Sequence, residues 1–169
     1  MLSLYKQSAT YIKMETTDLK VSIIGAGNMG GAIARGLSKG TIVQAGNIRV
    51  SDISADHLQA LQTFAPEISI SRTNAEIIKD ADIIILAVKP WHVETVAKEI
   101  EHKIDYKKQI IVSIAAGVDF EKLSELFDTE ASIFRVIPNT AIDILESVTT
   151  IAAQKATKEA AIAEIELTS

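Results

Sequence analysis

Short apolar runs alternate along this chain with segments whose apolar residues recur every three or four positions. The runs are rich in β-branched residues and predict strands, whereas the three-to-four spacing predicts amphipathic helices. Strands that alternate with helices form βαβ units, so the pattern predicts an α/β fold with a mostly parallel, doubly wound sheet and helices on both faces. The predicted strands are 20–24 (central), 48–52, 68–71, 83–88, 109–113, 133–137 and 148–153 (edge), and the predicted helices are 28–39, 55–64, 73–79, 90–100, 120–127 and 157–167.

The chain has 169 residues, a length that fits one domain with a substantial core. We predict that this domain spans 19–155, that 1–18 is an N-terminal extension, and that 156–169 begins a further helical segment. No glycine or proline closes the predicted helix 157–167 before Ser169.

The composition argues against several classes of function. A formal net charge of -5, with no cluster of lysine and arginine, provides no electrostatic footprint for nucleic acid. The absence of cysteine excludes disulfides, thiolate metal ligands and cysteine nucleophiles, and no metal site is predicted. The most apolar run, 83–88, is far shorter than the roughly 20 residues that cross a bilayer. We therefore expect a cytoplasmic protein with no membrane or nucleic-acid partner.

A glycine-rich turn, Gly25-Ala26-Gly27-Asn28-Met29-Gly30, joins the first predicted strand to the first predicted helix. In this G-x-G-x-x-G pattern the first glycine permits a tight turn, the second lets a diphosphate approach the backbone, and the third lets the helix pack against the strand. Free amides at the helix start, with the positive end of the helix dipole, stabilise that diphosphate. The turn therefore predicts a Rossmann-type domain that binds NAD(H) or NADP(H).

Asp52 ends the second predicted strand, about 22 residues after Gly30. A carboxylate at this position accepts hydrogen bonds from the adenosine ribose and favours NAD by repelling a 2′-phosphate. In one alternative Asp52 caps the following helix, although Ser54 is better placed to do so. In another, Ser51 and Ser54 donate to a 2′-phosphate, although no arginine follows immediately to balance its charge. These residues leave the choice between NAD and NADP open.

Three further motifs lie at the carboxyl ends of predicted strands, where ligands bind in open α/β sheets. They are Ala87-Val88-Lys89-Pro90, Ser113-Ile114-Ala115-Ala116-Gly117 and Arg135-Val136-Ile137-Pro138-Asn139-Thr140. With these motifs in this order and spacing behind the glycine-rich turn, the sequence resembles pyrroline-5-carboxylate reductase from about Lys20 to its end. The resemblance implies reduction of 1-pyrroline-5-carboxylate to L-proline, the last step of proline biosynthesis, with NADPH or NADH as the hydride donor.

The resemblance also implies which residues contact the cofactor. In the family these are the glycine-rich turn with the residue before it, a polar residue after the second strand, an asparagine before the third helix, and two strand-end motifs. Pro138, Asn139 and Thr140 resemble the family's segment beside the nicotinamide and the substrate. The cofactor residues are then Ile24, Gly25, Ala26, Gly27, Asn28, Met29, Ser51, Asn74, Ala87, Val88, Lys89, Pro90, Ala115, Ala116 and Gly117, to which the motif argument adds Gly30 and Asp52.

Several of these residues also have a purely structural interpretation. Under it, Lys89 is a solvated lysine, Asn74 is a helix cap and Arg135 is a charge that only supports the strand end. Trp91 and His92 are interpreted as surface residues, because a histidine that donates a proton needs an orienting partner and none is identifiable for His92.

The sequence departs from the family mildly at Ile137 and Ala141, and more seriously at the end of the chain. The family continues into a small helical domain that supplies most of the substrate site, a proton-donating hydroxyl and the dimer interface. We expect that domain to be absent, so the catalytic residues stay unassigned, homo-oligomerisation is expected of the full-length parent, and the chain alone is expected to be inactive. Two other interpretations stay open. One is a related reductase on the same fold, of the deazaflavin-dependent NADP reductase or β-hydroxyacid dehydrogenase type, and the other is a non-catalytic dinucleotide-binding module.

Overall fold

The computed structural model describes residues 18–137 and 150–153. Their strands are β1 (Val21–Ile24), β2 (Ile48–Ser51), β3 (Ser69–Ser71), β4 (Ile83–Leu86), β5 (Ile110–Ser113), β6 (Ser132–Ile137) and β7 (Thr150–Ala153). Within this part of the chain they form one seven-stranded sheet in the order β3-β2-β1-β4-β5-β6-β7. β1 to β6 pair in parallel, and β7 pairs antiparallel to β6 at the edge. The central position of the first strand and the edge strand within 148–153 are both as predicted.

Helices connect the parallel strands and lie on both faces of the sheet. They are α1 (Asn28–Lys39), α2 (Ala55–Phe64), α3 (Asn74–Ile77), α4 (Val93–Ile100) and α5 (Phe120–Leu126), with 3₁₀ turns at Ala45–Asn47, Pro90–His92 and Glu101–Lys103. α1 and α2 pack on one face, whereas α3, α4 and α5 pack on the other. No helix in the described part of the chain is long and apolar enough to cross a membrane.

The core lies on both sides of the sheet because successive residues of a strand point to opposite faces. Ile23 joins the apolar cluster under α1 and α2, whereas Ile24 joins the cluster under the other three helices. A strand that is covered on both faces is buried at every position, which explains the apolar run of β4 and the mainly apolar β1 and β5. The buried Ser22 hydroxyl of β1 donates to the Ile77 carbonyl oxygen. The predicted doubly wound α/β fold is confirmed.

Some element boundaries differ from the predicted ones. The strand predicted to end at Val88 ends at Leu86, and Pro90 begins a 3₁₀ turn, so that α4 starts only at Val93. The helix predicted to reach Lys79 ends at Ile77 because the chain turns at Asp80, which has a φ of 59°. Each difference shortens a regular element next to a turn that periodicity alone does not locate.

Side-chain caps begin two of the helices, and a third helix has none. Ser54 accepts a hydrogen bond from the backbone N–H of His57 at 3.3 Å, and Asp119 likewise caps α5. Ser54, rather than Asp52, is therefore the cap of α2. Thr73 precedes α3 without a side-chain hydrogen bond to it, and the Asn74 side chain points away to other partners.

Candidate dinucleotide-binding site

A cleft of about 900 Å³ opens at the carboxyl ends of β1, β2, β4, β5 and β6. The lining includes every predicted cofactor residue except Ala26 and Gly30 of the glycine-rich turn. Pro138, Asn139 and Thr140 lie outside the described residues. The structure thus brings four separate motifs of the sequence to one edge of the sheet, where parallel strands and helix starts meet.

The three glycines of the turn occupy different surroundings. Gly25 has a φ of 106°, and a Cβ added there would lie 2.5 Å from the Ala87 carbonyl oxygen. A Cβ on Gly30 would lie 1.9 Å from the Gly25 carbonyl oxygen, so only glycine lets α1 approach β1 this closely. A Cβ on Gly27 would meet no atom within 4 Å, although Gly27 lines the cleft. Gly25 and Gly30 are thus required by the fold, whereas Gly27 keeps space open for a ligand.

The N-terminus of α1 is left available to an anion. Gly27 precedes this helix without any side-chain cap, and the first turn contains no acidic residue. By contrast, α2, α4 and α5 each have a carboxylate in the first turn. The first amides of a helix have no partner within it, and the helix dipole makes that end positive. The residues therefore fit a diphosphate at the start of α1.

Asp52 braces the turn from the neighbouring strand. One carboxylate oxygen accepts from the Ala26 N–H at 2.6 Å, and the other accepts from the Ser54 N–H at 2.7 Å. The Nδ1 atom of His57 lies 3.5 Å from Asp52 Oδ2, and the Asp52 side chain is 11% exposed. Asp52 therefore supports the glycine-rich turn and also presents its charge to the cleft.

A chain of hydrogen bonds crosses the floor of the cleft beside Asp52. The buried Ser51 hydroxyl lies 2.6 Å from Asn74 Oδ1, and Asn74 Nδ2 lies 2.8 Å from Glu99 Oε2. Sequence analysis missed Glu99 and Thr95, which line the cleft from α4. Their four-residue spacing, outside the apolar stripe of that helix, is the signal that identifies them.

The opposite end of the cleft lies over β5 and β6. Ser113 is buried there, and its hydroxyl has no hydrogen-bond partner among the described residues. Arg135 lines the cleft next to it, with its guanidinium carbon 5.7 Å from the centre of the Phe120 ring. His92 also lines the cleft, whereas Trp91 is 72% exposed and lies outside it. Within the described residues, no three His, Asp or Glu side chains group in a way that would hold a metal ion.

The fold and this cleft define a Rossmann-type dinucleotide-binding domain. Comparison with family models then assigns it more narrowly: residues 20–117 match the model described as NADP oxidoreductase, coenzyme F420-dependent. The chain belongs to this family.

Curated relatives and solved structures agree with the resemblance seen in the sequence. The chain is 37% identical over 149 residues to pyrroline-5-carboxylate reductase of Methanosarcina acetivorans, covering 88% of this chain and 54% of the relative. It is 34% identical over 128 residues to pyrroline-5-carboxylate reductase 3 of Danio rerio, covering 76% and 43%. The pyrroline-5-carboxylate reductase structure from Coxiella burnetii superposes with a TM-score of 0.82 at 24% identity, covering 89% and 55%, and supports the fold. The chain spans about half the length of the curated relatives it matches.

Proposed function

We propose that the chain is the cofactor-binding part of a reductase that converts 1-pyrroline-5-carboxylate to L-proline with NADPH or NADH. The observation that carries the proposal is the 37% identity to the Methanosarcina acetivorans enzyme. A match over 149 of 169 residues necessarily includes the glycine-rich turn and the motifs at the ends of β4, β5 and β6. These are the segments that line the cleft.

The bound dinucleotide would supply the hydride, which adds to the carbon of the C=N bond while a proton reaches the nitrogen. The chain's own residues orient the two reactants. The free amides at the start of α1 would bind the diphosphate, and Ser51 and Asp52 would hold the adenosine ribose. Ala115, Ala116 and Gly117 would hold the nicotinamide end, and the apolar walls of the cleft would exclude water from it.

The substrate end of the cleft suits a ligand that carries a carboxylate. Arg135 lies there, stacked on Phe120, and no ion pair involves it within the described residues. A guanidinium binds carboxylates in a planar, two-bond geometry. Pro138, Asn139 and Thr140 follow Arg135 in sequence, and we assign them to the surroundings of the nicotinamide and the substrate.

A second candidate follows from the family description, which names a coenzyme F420-dependent NADP oxidoreductase. The matched residues, 20–117, contain the dinucleotide half of the cleft and end before β6. They are therefore compatible with either reaction partner. The identity to pyrroline-5-carboxylate reductases extends further along the chain and favours the first candidate.

A chimera separates these candidates. The C-terminal half of the Methanosarcina acetivorans relative is joined after Ala153, and oxidation of NADPH and NADH is followed with 1-pyrroline-5-carboxylate or with oxidised coenzyme F420 as the acceptor. We expect turnover only with the imine, and loss of that turnover when Gly27 is replaced by alanine. Turnover only with coenzyme F420 would favour the second candidate. Dinucleotide binding without turnover would favour a non-catalytic module.

We also propose a cytoplasmic location, a small-molecule substrate, no nucleic-acid partner, and self-association of the full-length parent. The absence of cysteine supports the first of these, the cleft supports the second, and the negative net charge supports the third. Size-exclusion chromatography of the chain and of the chimera tests the fourth, because only the chimera is expected to elute as an oligomer.

A further inference from the structure

The hydrogen-bond chain from Ser51 through Asn74 ends at the carboxylate of Glu99, which can only accept hydrogen bonds. An ionised carboxylate has no proton to donate, so Asn74 must direct its Nδ2 amide group toward Glu99 Oε2. The Asn74 Oδ1 atom then faces Ser51, whose hydroxyl must donate its single proton along the 2.6 Å contact. Ser51 is buried in the lining of the cleft, and its oxygen keeps only lone pairs.

Two neighbouring residues at the adenosine end of the cleft, Ser51 and Asp52, therefore present hydrogen-bond acceptors alone. Ser51 can accept but not donate, and the Asp52 carboxylate beside it is fixed by the Ala26 and Ser54 amides. A ribose with free 2′- and 3′-hydroxyls brings donors that match these acceptors. A 2′-phosphate brings only acceptor oxygens and negative charge, for which this arrangement is unfavourable.

Two basic side chains near Asp52, those of Arg72 and His57, have partners within the protein. Arg72 donates to the Ile53 carbonyl oxygen at 2.7 Å and does not line the cleft. His57 lines the cleft but turns its Nδ1 atom toward Asp52, at 3.5 Å. Neither of them offsets the acceptors that Ser51 and Asp52 present.

We propose that Glu99 is a positioning residue that acts through Asn74 and Ser51 to make the cleft select a ribose with free hydroxyls, so that the chain binds NADH more tightly than NADPH. This inference rests on the proposed function only in requiring that the cleft binds a nicotinamide dinucleotide. We expect NADH to bind roughly tenfold more tightly, which corresponds to about 1.4 kcal/mol.

Glu99→Gln tests the proposal because glutamine has nearly the same shape but can donate as well as accept. When its amide group faces Asn74, the asparagine can turn over, and Ser51 is released to donate to a 2′-phosphate. We expect the preference for NADH to fall at least about fivefold, or about 1 kcal/mol, in calorimetric titrations of the 169-residue chain with each dinucleotide.

Two further variants test whether Glu99 acts by orienting Asn74 and Ser51, by its charge alone, or only by supporting the fold. Glu94→Gln makes the same chemical change on the face of α4 that pairs with Lys98 and Lys122, and it should leave the preference unchanged. Asn74→Ala keeps the Glu99 charge but breaks the link to Ser51, so it should weaken the preference for NADH as Glu99→Gln does. If Glu99→Gln fails to fold, as judged by thermal melting, Asn74→Ala decides the question.

The outcomes distinguish this inference from the proposed function. Tighter binding of NADPH than of NADH by the parent chain would overturn the inference, as would an unchanged preference in Glu99→Gln and Asn74→Ala. Equal weakening of both dinucleotides would assign Glu99 a merely structural role and would also overturn it. Binding of neither dinucleotide by the parent chain would overturn the proposed function and this inference together.

Discussion

Replacing Gly27 with alanine should abolish tight dinucleotide binding while leaving the fold intact. Gly27 precedes α1 with a φ of -64° and a ψ of -165°, a backbone conformation open to any L-residue. An added Cβ meets no atom within 4 Å and lies at the lining of the cleft. The methyl group therefore enters only the space that a diphosphate needs in order to reach the amides of α1.

The expected effects on folding and on binding differ greatly in size. Gly→Ala at a compatible position stabilises by about 0.4–1 kcal/mol through the unfolded state, and alanine's poorer capping offsets a similar amount, so the free energy of unfolding should change by less than about 1 kcal/mol. A hydrogen bond to a charged group contributes about 1.5–3 kcal/mol. Displacing the diphosphate from two amides then costs about 3–6 kcal/mol, which raises the Kd roughly 10²- to 10⁴-fold.

Calorimetric titration with NADH and NADPH, together with thermal melting, measures both effects. Gly46→Ala is the matched control, because a Cβ at Gly46 also meets no atom within 4 Å but Gly46 lies in the 3₁₀ turn before β2, away from the cleft. The control should leave the Kd unchanged. If Gly27→Ala folded normally and bound the dinucleotide with the parent's Kd, the diphosphate would not lie on this turn.

Three further changes test other parts of the structure. Gly30→Ala places a Cβ 1.9 Å from the Gly25 carbonyl oxygen, so it should lower the free energy of unfolding in urea by at least about 2 kcal/mol; a parent-like midpoint would contradict the close packing of α1 on β1. Asp52→Ala removes a negative charge from the adenosine end and should shift the Kd ratio toward NADPH by about tenfold in calorimetry, whereas an unchanged ratio would limit Asp52 to bracing the loop. The hydrogen bond from Lys98 and the nearby charge of Lys122 lower the pKa of Glu94 from its ordinary 4.5. The ionised Glu94 therefore stabilises the folded chain above pH 4.5, and this contribution is lost as the pH falls through the lowered pKa. Between about pH 5 and pH 3 the Tm of Glu94→Gln should therefore fall less than the Tm of the unsubstituted chain. Equal falls in Tm would argue against this ion pair.

The sequence was most informative about elements whose geometry leaves a periodic signature. A strand buried on both faces, such as β4, is apolar along its whole length, and α4 has to place Val93, Val96 and Ile100 on one face. The distinct roles of Gly25 and Gly30 also followed from the motif, because a tight strand-to-helix turn leaves no room for a side chain at either position. Local chain geometry sets all of these features, so a local pattern reveals them.

Contacts between distant segments required the tertiary structure. No pattern in the sequence indicates that Glu99 on α4 bonds to Asn74 on α3, or that Asn74 bonds to Ser51 on β2, because the three lie on elements brought together only by the sheet order. The sequence also does not indicate that Asp52 accepts from the Ala26 amide, because Ala26 belongs to the turn that follows the neighbouring strand β1. Sequence analysis left the choice between NAD and NADP open for this reason. The ability of Ser51 and Asp52 to accept or donate depends on which neighbours already occupy their protons and lone pairs, and only the folded arrangement of β1, β2, α3 and α4 decides that.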